Sequence, residues 1–171
     1  MKVVNVHQRL LHASRERAGS IIDALASPAD AIWRQQDWPR MKFDRPLGVG
    51  AAGGHGPIRY FVEAYAPGEA IRFRFTGPKG FDGWHGLEVI DATAAHCILE
   101  HRIEMQVHGR ALLTWPLIYR PLHDALIEDA LACAQSALGN EPHRVPWSPW
   151  VRFLRWAAQN EAPCMRRPHA A

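Results

Sequence analysis

The sequence predicts an α+β protein in which a curved antiparallel sheet of about six to seven strands closes around one long helix near the C-terminus. Between Gly109 and Gly139, Trp115, Ile118, Tyr119, Leu122, Leu126, Ala130, Cys133 and Ala137 recur at three- and four-residue steps. That spacing makes one apolar stripe on a helix of roughly 45 Å. Before it, the chain reads as short period-two segments separated by Pro/Gly turns. The alternation is one-sided: Cys97, Leu99, His101, Ile103, Met105 and Val107 face one way, and Glu100, Arg102, Glu104 and Gln106 the other. One sheet face is therefore wet, and the dry one needs a cover.

Taken in order, Val3 to His12 alternates as a strand, with Val4, Val6 and Leu10 sharing one face. Ser14 caps a helix over Arg15 to Leu25, and Ser27-Pro28 opens a second short helix to Trp33. Met41 to Asp44 is a short strand. The stretch Gly48 to Pro57 contains G-x-G-x-x-G at Gly48, Gly50 and Gly53. A dinucleotide site needs a helix directly after those letters, and Gly54, Gly56 and Pro57 forbid one. A flexible rim loop is the expectation, with His55 as a gate. Strands follow at Ile58–Ala66, Ala70–Thr76, Trp84–Ala92 and Ala95–Val107. In the long helix Pro116 suits a first turn, whereas Pro121 predicts a kink or a later start, and Gly139 supplies the stop.

Residues 1–139 thus form one domain, and 140–171 a linker with an amphipathic helix and tail. The tail helix runs from Pro149 to about Gln159, with Trp150, Phe153, Leu154 and Ala157 on one face. The long helix carries a second apolar strip, Leu113, Ile127, Leu131 and Leu138, which something should cover. The expected cover is this tail docking through Trp150, Phe153 and Leu154, or a homodimer contact. A membrane interface is the alternative. Met165 to Ala171 is expected to be disordered.

With 171 residues, 47% of them apolar and 22% charged, the chain is globular rather than disordered. A net charge of +3 without basic clustering argues against nucleic acid. Cys97, Cys133 and Cys164 form no CxxC pair, and the ten histidines form neither HxxxH nor HExxH, so no metal site and no cofactor is expected. The first residues do not read as a signal peptide and no apolar run would span a membrane, so the expected location is cytoplasmic.

The two short helices after the first strand, the stretch GGHGPIRYFVEAYAPGEAIRFRF from Gly53 to Phe75, the following GFDGWHGLEVIDA and the long terminal helix resemble the START-like (SRPBCC, helix-grip) superfamily. The wording is similar to its polyketide-cyclase-like members. The resemblance covers roughly Val3 to Gly139. It implies a helix-grip fold with a deep, mostly apolar cavity for a small hydrophobic ligand: a lipid, an aromatic compound or a polyketide. The superfamily has no universal catalytic motif, so chemistry must be read from the residues.

Polar groups interrupt the dry faces at His101, His85 and Tyr60, and Asp129 falls in the helix stripe with His123 at its edge. If all point inward, a His–carboxylate pair could act as general base, with Tyr60 donating to a developing enolate. The expected cavity wall is Phe73, Phe75, Leu87, Leu99, Ile103 and Met105 on the sheet, and Tyr119, Leu122, His123 and Leu126 on the helix. Asp124 and Glu128 fall opposite the stripe and are expected to be solvated. A buried His is more often a satisfied core residue than a catalyst, so three readings stay open. They are a binder, an acid–base cyclase, aromatase or dehydratase, and an interaction module using the tail.

Overall fold

The computed structural model describes residues 1–161, and the expectation for Met165 to Ala171 lies outside the described residues. Seven strands form one antiparallel sheet: β1 (Lys2–Leu11), β2 (Lys42–Phe43), β3 (Ala52–His55), β4 (Ile58–Ala66), β5 (Ala70–Gly77), β6 (Phe81–Ile90) and β7 (Cys97–Val107). Their order across the sheet is β1-β7-β6-β5-β4-β3-β2, so the first strand pairs with the last and forms one edge. The helices are α1 (Arg15–Asp23), α2 (Ala111–Thr114), α3 (Arg120–Ala137) and α4 (Pro149–Glu161). The covered face of β4 to β7 matches the period-two reading: Tyr60, Val62, Ile71, Phe73, Val89, Leu99 and Ile103 are all buried.

α2 and α3 are one helical path joined by a π turn, Trp115–Tyr119, which places the predicted irregularity just before Pro121. Pro121 has no N–H to offer the Leu117 carbonyl four residues earlier. That carbonyl instead accepts the indole N–H of Trp150 from α4, at 2.8 Å. Gly139, at φ 78°, ends α3, and the Asn140 N–H returns to the Gln135 carbonyl.

The structure departs from the sequence reading in four places. The second short helix is absent: residues 28–33 form a loop built on Asp30, whose carboxylate accepts the N–H groups of Ala26, Ile32 and Trp33. Such local side-chain bonds compete with a helix for the same donors. The centre of the glycine stretch, Ala52–His55, is strand β3 rather than part of a free loop. A Cβ on Gly53 or Gly54 would lie 2.0 Å from the carbonyl oxygen of Lys42 or Ile58, so these glycines are what lets β2, β3 and β4 close up. On β1 the face that Val4, Val6 and Leu10 share is, despite its apolarity, the exposed one, and Asn5, His7 and Arg9 turn toward α3.

The fourth departure is the tail. α4 lies against α3 and buries Val151 in the same core as Ile127, Leu131 and Leu138. Trp150 and Phe153 stay about half exposed, and Leu113 is 69% exposed. The inward residues are Trp147, Val151 and Leu154. Among the described residues no helix is long and apolar enough to cross a membrane.

Candidate ligand cavity and its histidine row

Between the sheet and α3 lies a cavity of about 730 Å³. Its sheet wall is Phe73, Phe75, Leu87, Leu99 and Ile103, and its helix wall is Tyr119, Leu122, His123 and Leu126. α4 completes one side with Leu154, Arg155 and Ala158. The exposed residues Gln35, Gln36, Gly56 and Pro57 are also on the lining, and they mark where it reaches solvent.

Histidines are the polar groups that the sheet and α3 bring to this wall. Centroid to centroid, His85 lies 5.7 Å from His101, and His101 lies 5.0 Å from His123. Each of the three has one buried ring nitrogen without a partner: Nε2 of His85, Nδ1 of His101 and Nε2 of His123. Burial, followed by the proximity of other histidines, pushes His85 and His101 well below the ordinary histidine range. Burial also outweighs the Asp124 hydrogen bond at His123 and lowers that group. The row is therefore neutral near pH 7, and each free nitrogen can donate or accept according to tautomer. His85 is packed by Phe73, Phe75 and Tyr60 at 4.8–5.0 Å, which fixes its ring.

The sequence matches no protein-family model and no curated protein. Solved structures do match. Norcoclaurine synthase from Thalictrum flavum is 15% identical, with a TM-score of 0.59 over 81% of this chain and 96% of that one. CalU16 from Micromonospora echinospora is 13% identical, with a TM-score of 0.56 over 92% of this chain and 84% of that one. The di-domain ARO/CYC StfQ of the steffimycin pathway is 12% identical, with a TM-score of 0.59 over 81% of this chain and 51% of that one. This is the helix-grip, SRPBCC-like fold.

Within the helix grip the predicted catalytic residues separate. His85 and His101 face the cavity, whereas Tyr60 and Asp129 are not on its wall. The Tyr60 hydroxyl lies behind Phe73 and His85 and is bonded to His55 Nδ1 at 3.0 Å, with burial raising its pKa. Asp129 lies behind α3, where its Oδ2 accepts the indole N–H groups of Trp38 (2.9 Å) and Trp147 (3.0 Å). Arg34 approaches its Oδ1 at 3.4 Å. The expected His–Asp129 pair does not form, because Asp129 lies on the flank that the tail covers and a stripe read from spacing does not resolve which flank meets the sheet. Met105 is also off the wall; it packs with Val3, Phe81 and Trp115 in a second core cluster. His55 does line the cavity, but as a wall residue held between Trp33 (4.9 Å) and Tyr60, and burial lowers its pKa to about 3.

Sequence reasoning missed two parts of the site. The first is the tail: Arg155 lies 4.3 Å above the Trp38 ring and 4.0 Å above Trp147, so cation–π contacts to both indoles hold α4 on the cavity flank. The second is the β1–α3 seam. Asp124 and Glu128 are not free in solvent; Asn5 donates to Asp124 at 2.9 Å, and Arg9 pairs with Glu128. His7 sits between them, Nδ1 at 2.9 Å from Glu128 and Nε2 at 3.2 Å from Asp124. His123 Nδ1 approaches the same Asp124 oxygen at 3.3 Å. Burial acts against the charged form of His7, but its bonds to both carboxylates prevail and raise its pKa. Asp124 is lowered, the bonds from His123, His7 and Asn5 outweighing its burial. The signal that could have found the seam is the polar run on β1, Asn5, His7 and Arg9 at i, i+2, i+4.

Proposed function

We propose that this chain binds a small aromatic or polyketide-like molecule that carries oxygen functions, with its apolar body against Phe73, Phe75, Ile103 and Leu126 and its oxygens at His85, His101 and His123. The observation that carries this is three histidine rings, each with an unpartnered nitrogen, that line an otherwise largely apolar cavity. A purely hydrocarbon ligand would leave those nitrogens unsatisfied, at about 1–3 kcal/mol each, whereas a hydroxyl or carbonyl would satisfy them. The volume of about 730 Å³ falls within the usual range for small-molecule sites. The neighbours are consistent with this reading: norcoclaurine synthase has been solved with dopamine and hydroxybenzaldehyde, and StfQ is described as an ARO/CYC.

The test compares anthraquinone with 1,8-dihydroxyanthraquinone, and naphthalene with 1-naphthol, by calorimetry or tryptophan quenching. The hydroxylated member of each pair should bind about 5–100-fold more tightly, and His101→Leu should erase most of that preference. Equal affinities in wild type, or a preference that persists in both His85→Leu and His101→Leu, would overturn the reading. Native mass spectrometry of protein taken from its own host would then name the ligand.

A second reading, acid–base catalysis on the same ligand, is favoured by one feature. His101 is held neutral, its ring lines the cavity and its Nδ1 has no partner, the protonation state a general base needs. It would take a proton from carbon next to a ligand carbonyl while His85 donates to the carbonyl oxygen. In that case His101→Ala lowers turnover while ligand affinity persists, whereas a binder has no turnover to lose.

A further inference from the structure

We infer that the seam between β1 and α3 is a divalent metal site, with His7, His123 and Asp124 as its protein ligands. His7 Nε2, His123 Nδ1 and the Asp124 carboxylate converge, all lying within 4.8 Å of one another. The two nitrogen–oxygen separations are 3.2 and 3.3 Å. Two ligands at about 2.0–2.1 Å from one tetrahedral ion stand about 3.3 Å apart, so both nitrogen–oxygen separations already match an edge of such a polyhedron. An ion would take the place of the two ring protons that now face a single carboxylate oxygen.

The surroundings are those of an outer shell. Glu128 accepts the His7 Nδ1–H at 2.9 Å, so that an ion displacing the Nε2 proton would meet a neutral imidazole already oriented toward the site. Arg9 holds Glu128 in place, and Asn5 donates to Asp124 at 2.9 Å. The three ligand residues are each partly exposed, so an ion can reach them and water can complete its shell. Two imidazoles and one carboxylate suit zinc, cobalt, nickel or ferrous iron rather than calcium or magnesium. No local spacing motif marks the site, because its ligands come from β1 and from a helix more than a hundred residues later.

Occupancy would have a consequence for the cavity. With an ion on Nδ1, the one proton of His123 must sit on Nε2, the buried nitrogen that lacks a partner in the cavity-lining ring. Metal would thereby fix His123 as a hydrogen-bond donor to whatever the cavity holds. The metal site itself stands or falls independently of the ligand proposal.

The test is Co(II) titration of chelator-treated full-length protein, read as visible d–d absorption, with Zn(II) competition. The expected result is one equivalent, displaced by zinc, abolished by His7→Ala and by Asp124→Asn, and unchanged by His108→Ala, which removes an exposed histidine. Glu128→Gln should weaken binding about 10–100-fold. X-ray absorption of the wild-type complex, which needs no variant to fold, should show two imidazoles and oxygen ligands. Absence of saturable Co(II) uptake, uptake that survives His7→Ala, or a spectrum lacking two imidazoles would each overturn the inference.

Discussion

Replacing Asp129 with alanine tests whether its carboxylate is a structural clamp rather than a catalytic group. Asp129 is 6% exposed and receives two indole N–H donors and one guanidinium, from two separate parts of the chain, the Arg34–Trp38 loop and the segment before α4. Trp38 is 6% exposed, so its N–H would find little water once the acceptor is gone, a loss of about 2 kcal/mol. Trp147 and Arg34 lie nearer solvent, and together they should forfeit about 1 kcal/mol after screening. The expected total is about 3 kcal/mol, or roughly 6–12 °C in Tm for a chain of this size. Urea and thermal melts followed by far-ultraviolet circular dichroism measure it. Trp38→Phe alone should cost about 2 kcal/mol, and adding it to Asp129→Ala should cost much less, because the bond is already gone. Cleavage in the segment of residues 140–148 should also accelerate as α4 loosens. A Tm within 2 °C of wild type for Asp129→Ala, or fully additive losses with Trp38→Phe, would refute the clamp.

Three further outcomes are expected. Leu122→Trp, which adds bulk to the cavity wall, should lower affinity for 1,8-dihydroxyanthraquinone at least about tenfold without lowering Tm; a wild-type affinity would place the ligand elsewhere. Gly86→Ala should cost about 2–4 kcal/mol in a urea melt, since the new Cβ would lie 2.3 Å from the Ile71 carbonyl oxygen in the middle of the sheet. The histidines should give opposite pH signatures. The raised pKa of His7 means that its stabilisation is full below its unfolded value near 6.5 and is lost as pH rises through the higher folded value, so His7→Asn should lose more stability at pH 6 than at pH 9. His85 and His101 are depressed, so their neutral burial costs stability as pH falls from about 6.5 toward their folded values, and His101→Leu should flatten the acid limb of the stability curve. Parallel pH profiles for the two variants would contradict both assignments.

What the sequence determined by itself was whatever depends on local periodicity. A strand has only two faces, so the alternation in β4 to β7 was enough to place Phe73, His85, Leu99, His101 and Ile103 on the covered side. The three-and-four spacing after Gly109, with the Gly139 stop, gave the long helix, and Pro121 gave its irregularity. The tertiary structure decided whatever depends on which neighbour an ambiguous face meets. β1 has apolar and polar faces of comparable length, and α3 offered it Asp124 and Glu128, so the polar face turned inward. Asp129 lies one residue beyond Glu128, about 100° around the helix, and there the tail brought two tryptophans to it. The glycines of β3 read as freedom in the sequence but serve contact, because only the arrival of Lys42 and Ile58 shows what their missing side chains make room for. Periodicity fixes direction relative to the element's own axis; the partner that awaits in that direction comes from distant chain, and no local pattern encodes it.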